Sequence, residues 1–253
     1  METIYVAFLF SFVAGISTGL GSLIAFFIRD LKRSYLSIFM GFSAGVMIQV
    51  SFVELLFTAI VDTGLLYANI AFFLGVLFIA LLDFLIPHEY KEEHLPNPAE
   101  MNHQKLARTA LVVSLGIVIH NFPEGLVTLF GTIKDVNLGL VLLLAVVLHN
   151  IPEGISVAVP IYYATKNRRK AFIWSFLSGI AEPIGAAIGF FVLYPFINDF
   201  LVSMTLAFVA GIMVFISFDE LLPVSLSHGQ QHFAIASLFF GMVIMSLTLL
   251  LLK

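Results

Sequence analysis

Eight apolar runs, at roughly 3–28, 35–60, 65–86, 107–131, 137–163, 170–195, 200–223 and 231–252, take up almost the whole of this 253-residue chain. Each is close to the ~17–25 residues a helix needs to cross a bilayer. In hydrocarbon every backbone polar group must be paired within the protein, and long unbroken runs satisfy that only as helices. The predicted fold class is therefore all-α integral membrane, with eight transmembrane helices in a single domain over 1–253. Residues are 60% hydrophobic and only 11% charged, which excludes a soluble globular domain. The first run follows a lone acid, Glu2, has no basic segment before it and continues to about Ile28, so it reads as a span rather than a cleaved signal.

The basic residues orient these spans. Arg29, Lys32, Arg33, Lys91, Lys105, Arg108, Lys166, Arg168, Arg169 and Lys170 fall in or beside the connections after runs one, three and five, whereas the other side carries only Lys134 and Lys253. Lys and Arg accumulate in cytoplasmic loops, so both termini are expected to be extracytoplasmic, in a multi-pass protein of the cell membrane. The connection at 87–107 is then a cytoplasmic loop between spans three and four. Its His88, His94 and His103 could capture a metal ion weakly, but they lack a fixed ligand spacing, which favours a merely solvated, flexible loop. The net charge of −4 gives no reason to expect a nucleic-acid partner.

The chain also repeats itself. Phe42–Phe57 (FSAGVMIQVSFVELLF) and Phe208–Pro223 (FVAGIMVFISFDELLP) agree at nine of sixteen positions, at an offset of 166. Ala14–Phe27 and Ser178–Phe191 match more weakly at an offset of 164. In the orientation above, spans one and two run opposite to six and seven. The expectation is a 3+2+3 arrangement, an inverted repeat of spans 1–3 and 6–8 around a central antiparallel pair, spans 4 and 5. Transporters of such design place their substrate site near the midplane.

That central pair carries two matched words, His120-Asn121-Phe122-Pro123-Glu124-Gly125 and His149-Asn150-Ile151-Pro152-Glu153-Gly154, 29 residues apart. At about 100° per residue, the histidine, amide and carboxylate of each word fan over one helix face. Pro123 and Pro152 leave the carbonyls of Ile119 and Leu148 without their helical donors. With cysteine absent, any metal must be held by nitrogen and oxygen. Imidazole with carboxylate suits a borderline divalent cation such as Zn²⁺, Fe²⁺, Mn²⁺ or Co²⁺. Six side chains exceed a tetrahedral set, so coordination is loose or the glutamates bridge two ions.

Glu182 lies deep in span six and needs a partner, because an unpaired charge at mid-membrane costs about 2.5–3.5 kcal/mol even on the milder scale. The central cation would serve, and so would protonation with a hydrogen bond to a neighbouring helix. Glu54 and Glu220 occupy equivalent places in the two halves, the latter beside Asp219. These acids are either stepping sites for a cation on its way in and out or solvated interfacial groups. Asp83, near a helix end, is expected to snorkel to water.

At these words the chain resembles the zinc/iron permease, or ZIP (Zrt/Irt-like), family, and most of all its compact bacterial branch, over its whole length. The resemblance implies that His120, Glu124, His149 and Glu153 bind one ion, and that Asn121, Asn150 and Glu182, with bridging Glu124 and Glu153, bind a second. It implies import of divalent metal into the cytoplasm by an elevator-like alternation, with Zn²⁺, Fe²⁺, Mn²⁺, Co²⁺ and Cd²⁺ as transported ions, no prosthetic group, and metal ions and lipid as partners. Members often form homodimers. Many also carry a dense histidine tract after span three, which is missing here. An intramembrane zinc hydrolase would also place His and Glu in the membrane, but it leaves the duplicated ligand set unexplained and H-E-x-x-H is absent. The function expected is that of a transporter rather than an enzyme, with a passive channel as the alternative kinetic form.

Overall fold

The computed structural model describes residues 2–27, 33–85, 103–227 and 231–252, and among them there are helices and turns but no strand. The loop histidines His88 and His94 lie outside the described residues. His103 opens a helix, but its side chain lies outside them as well. In chain order the helices are α1 (Glu2–Phe27), α2 (33–63), α3 (Leu65–Leu85), α4 (His103–Lys134), α5 (Val136–Thr165), α6 (168–193), α7 (199–227) and α8 (Gln231–Leu252). Seven of them are long and apolar enough to cross a membrane. The eighth, α4, has 32 residues, roughly 48 Å of helix at 1.5 Å per residue.

Connections are short and their residues explain them. Gly64, the lone residue between α2 and α3, has φ +86°, a conformation costly for any residue with a Cβ. Asp135, Asn167 and Asn198 cap α5, α6 and α7, each side chain accepting from the backbone N–H three residues on, at 2.8, 3.1 and 2.9 Å.

Three helices depart from regularity. α2 and α7 each contain a π-helical turn, at Ser51–Leu56 and Ser217–Leu221. Ser51 and Ser217 are themselves 166 residues apart. α6 breaks at Ile180, between Arg168–Gly179 and Ala181–Leu193. Glu182 and Pro183 thus fall in a first helical turn, where proline's missing N–H costs no hydrogen bond. α4 and α5 remain helical through Pro123 and Pro152.

Helices associate where glycine lets backbones meet, the usual device in a membrane. A Cβ at Gly45 would strike the carbonyl of Leu238, and one at Gly241 that of Phe42, closing α2 on α8. Gly211 and Gly75 do the same to Phe72 and Phe208, closing α3 on α7. Each of these four contacts maps onto another by the same shift of 166. Around the central pair, Gly21 meets Ile151 and Gly154 meets Thr18, while Gly185 meets Phe122 and Gly125 meets Glu182. Gly15 and Gly179 face each other. These close contacts link α1, α4, α5 and α6 into one group and pair α2 with α8 and α3 with α7, and Gly41 of α2, lying against Ser225 of α7 as well as Ser237 of α8, joins those two pairs into a second group.

The boundary between the two groups is largely apolar: Phe130 and Leu142 on one side share a cluster with Met47, Leu206 and Met213 on the other. Towards the outside the chain is apolar too, with Phe84 and Leu251 77% and 85% exposed, as a surface meeting lipid tails requires. Only 28% and 22% of the α3 and α8 spans is buried, against 72% for α5, so α5 is the most enclosed of these three helices.

Candidate metal centre

α4 and α5 pack side by side and bring the two words together. Within each helix histidine and glutamate are four residues apart, hence on one face. Across the pair they interlock. His149 Nε2 is 2.8 Å from Glu124 Oε1, and His120 Nε2 is 3.2 Å from Glu153 Oε1 and 3.4 Å from Glu124 Oε1. A tetrahedral ion with ligands at about 2.0–2.2 Å separates neighbouring ligand atoms by about 3.3–3.6 Å. Ligand atoms of His120, Glu124 and Glu153 all lie within 4.8 Å of one another, so these three side chains are spaced to share one ion with little movement.

The two asparagines are anchored from outside the pair. Asn121 Nδ2 donates to the carbonyl of Ser178 on α6 at 3.1 Å, and Asn150 Nδ2 donates to that of Ala14 on α1 at 3.0 Å. Tying down the amide nitrogen fixes which way the amide oxygen points. Asn150 Nδ2 also donates to Glu182 Oε1, which draws the break in α6 into the cluster. From the other group of helices, Ser43 of α2 donates to Glu153 Oε1 at 3.3 Å and to the carbonyl of His149 at 3.4 Å.

All seven residues are at most 1% exposed. Each nevertheless keeps a buried atom with no hydrogen-bond partner: His120 Nδ1, Asn121 Oδ1, Glu124 Oε2, His149 Nδ1, Asn150 Oδ1, Glu153 Oε2 and Glu182 Oε2. Buried polar groups are normally paired, and leaving one unpaired costs about 1–3 kcal/mol, more when it is charged. A cluster with seven such atoms, three of them on carboxylates, is arranged to meet something positive. Nitrogen and oxygen donors without thiolate suit a divalent cation of the zinc type.

The remaining acids fall elsewhere. Glu54 is buried in the π turn of α2, so it is not the solvated interfacial group allowed for on sequence grounds. Asp219 and Glu220 sit half-buried in the π turn of α7. Their carboxylates converge with that of Asp83, all three within 4.8 Å of one another. Asp83 and Ser43 were not legible as members of these clusters from sequence. Asp83 follows from the pairing of α3 with α7, which the shift of 166 relates to the pairing of α8 with α2. Ser43 carries no comparable signal, since a helical serine ordinarily bonds to its own preceding turn.

Fold and site together define a multi-pass membrane protein with a set of cation-ligand groups enclosed among its central helices. The family model described as "ZIP Zinc transporter" matches residues 86–249. The chain is 44% identical to the zinc transporter ZupT of Clostridium perfringens, over 99% of this chain and 97% of that protein. It is 46% identical to the ZupT of Streptococcus mutans, over 99% and 98%, and 46% identical to that of Chlorobium phaeovibrioides, over the full length of both. The chain belongs to the ZIP zinc transporter family, which places it among transporters rather than enzymes.

Proposed function

We propose that the protein carries Zn²⁺, and with it Fe²⁺, Mn²⁺, Co²⁺ and Cd²⁺, across the cell membrane into the cytoplasm through the cluster on α4, α5 and α6. The observation that carries this reading is the set of seven buried ligand atoms without partners. Zinc is favoured because the curated relatives bear the name zinc transporter, and the other ions because their ligand preferences overlap with zinc's. His120, Glu124, His149 and Glu153 hold one ion. Asn121, Asn150 and Glu182 hold a second, with Glu124 and Glu153 bridging.

In this reading α1–α3 and α6–α8 form an inverted repeat around α4 and α5, with both termini outside. The matched π turns, the glycine contacts related by a shift of 166 and the skewed Lys and Arg distribution support it. The two glycine-bonded groups of helices move as bodies past one another, over the apolar boundary they share. Access then alternates while the ligand set travels intact. Glu54 and the acids Asp83, Asp219 and Glu220 stand on the way in and out.

The test is uptake of radioactive Zn²⁺ into vesicles reconstituted with the purified protein, with the other four cations as competitors. Saturable uptake that each competitor lowers is expected. Uptake no faster than in protein-free vesicles defeats the proposal, and flux that rises linearly with zinc defeats the carrier form of it.

A further inference from the structure

The charge of the site is not symmetric at residues 18 and 182. Residues 18 and 182 hold the same place in the two halves: the carbonyl of Thr18 meets Gly154 as that of Glu182 meets Gly125. Ala14 and Ser178, each four residues earlier, accept from Asn150 and Asn121 respectively. By this relation the counterpart of the Asn150–Glu182 contact is Asn121 with Thr18. On one arm a carboxylate takes the hydrogen bond of Asn150. On the other stands a threonine that is fully buried and whose hydroxyl has no hydrogen-bond partner. A helical threonine ordinarily satisfies itself on the preceding turn, as Thr128 and Thr132 do here at 3.2 and 2.6 Å. Asn121 Oδ1 likewise lacks a partner.

We propose that Thr18 is a further specificity-determining residue of the cation site, its hydroxyl and Asn121 Oδ1 forming a neutral arm opposite the acidic arm of Asn150 and Glu182. The inference rests on the reading of the central cluster as the transported-cation site. Its physical content is charge. Glu124, Glu153 and Glu182 supply three negative charges to two divalent ions, and affinity in oxygen-rich sites is tuned by the count of charged ligands. A carboxylate at position 18 would neutralise the pair and trap it. The hydroxyl keeps one charge uncompensated, so the second ion stays releasable. Threonine is two atoms shorter than glutamate, and its hydroxyl reaches the ion through the ion's own hydration water.

The experiment is Zn²⁺ titration calorimetry of the purified full chain and four variants: Thr18→Val, Glu182→Thr, the exchange Thr18→Glu with Glu182→Thr, and Glu124→Ala. Thr18→Val keeps the side chain's shape and removes only the oxygen. It is expected to weaken the second ion about tenfold, the scale of one lost hydrogen bond, and to leave the first unchanged. Glu182→Thr is expected to lose the second ion, and the exchange variant to regain it, because the carboxylate is restored on the mirror arm. A parent-like titration for Thr18→Val, or an exchange variant that binds no better than Glu182→Thr, overturns the proposal. If Thr18→Val does not fold, the exchange variant alone decides. Glu124→Ala separates the two levels: if it binds zinc as the parent does, the central-site reading itself has failed, and if it loses zinc, a parent-like Thr18→Val removes Thr18 alone.

Discussion

Glu124→Gln should make the protein worse at holding zinc. Glu124 is the residue on which the cluster converges, with Oε1 2.8 Å from His149 and 3.4 Å from His120, and with Oε2 unpartnered. Glutamine keeps the shape and one acceptor oxygen but removes the charge. Losing a charge-assisted contact to a buried cation costs at least about 3 kcal/mol, so zinc affinity should fall at least about 100-fold. At a zinc concentration 100 times the parent's Kd, bound ion stabilises the parent by about 2.7 kcal/mol. The variant, now at or below its own Kd, would gain about 0.4 kcal/mol or less. Without zinc the variant also loses the charge behind its contacts with His149 and His120, at 2.8 and 3.4 Å, so the metal-free variant should melt at or below the parent's temperature. The assay is thermal unfolding in detergent with and without zinc. A variant that keeps the parent's zinc-induced shift would refute the reasoning.

Other consequences are simpler to state. Gly154→Ala drives a methyl into the carbonyl of Thr18 and should cost about 1–3 kcal/mol of stability, read as a lowered melting temperature, since α1 and α5 must separate to accept it. Gly64→Ala forces a Cβ into a positive-φ turn with open space around it, and should cost about 1 kcal/mol through backbone strain alone. Lys134 pairs with Asp62 where both are partly exposed, at 20% and 30%, so Lys134→Met should change stability by less than about 1 kcal/mol, measured by the same melt. Lowering the pH should weaken zinc binding in titration calorimetry, because protons compete with the metal for His120 and His149.

The main lines of this molecule can be read in the sequence because the bilayer is a demanding solvent. Eight apolar runs became eight helices, and the two H-N-x-P-E-G words met because antiparallel neighbours of matched depth bring equivalent positions together. What could not be read arises from local backbone geometry. The π turns at Ser51 and Ser217 insert an extra residue into a helix without altering its composition, so hydropathy passes over them. Glu54 lies buried inside one of them instead of facing water at a helix end. Asp83, read alone, looked like an acid snorkelling to solvent. Only the close approach of α3 and α7 through Gly75 and Gly211 sets it beside Asp219 and Glu220. Ser43 reaches Glu153 from a helix in the other group, a contact between residues 110 positions apart for which a serine in an apolar run gives no sign.

The central claim is that one buried cluster, shared by α4, α5 and α6, is the path zinc takes. It is tested most directly by radioactive Zn²⁺ uptake into reconstituted vesicles containing the parent, Glu124→Ala or Glu153→Ala, with folding of each variant verified by its gel-filtration profile. The account predicts saturable uptake by the parent and none above protein-free vesicles for either folded variant. Parent-like uptake by either of them would contradict it.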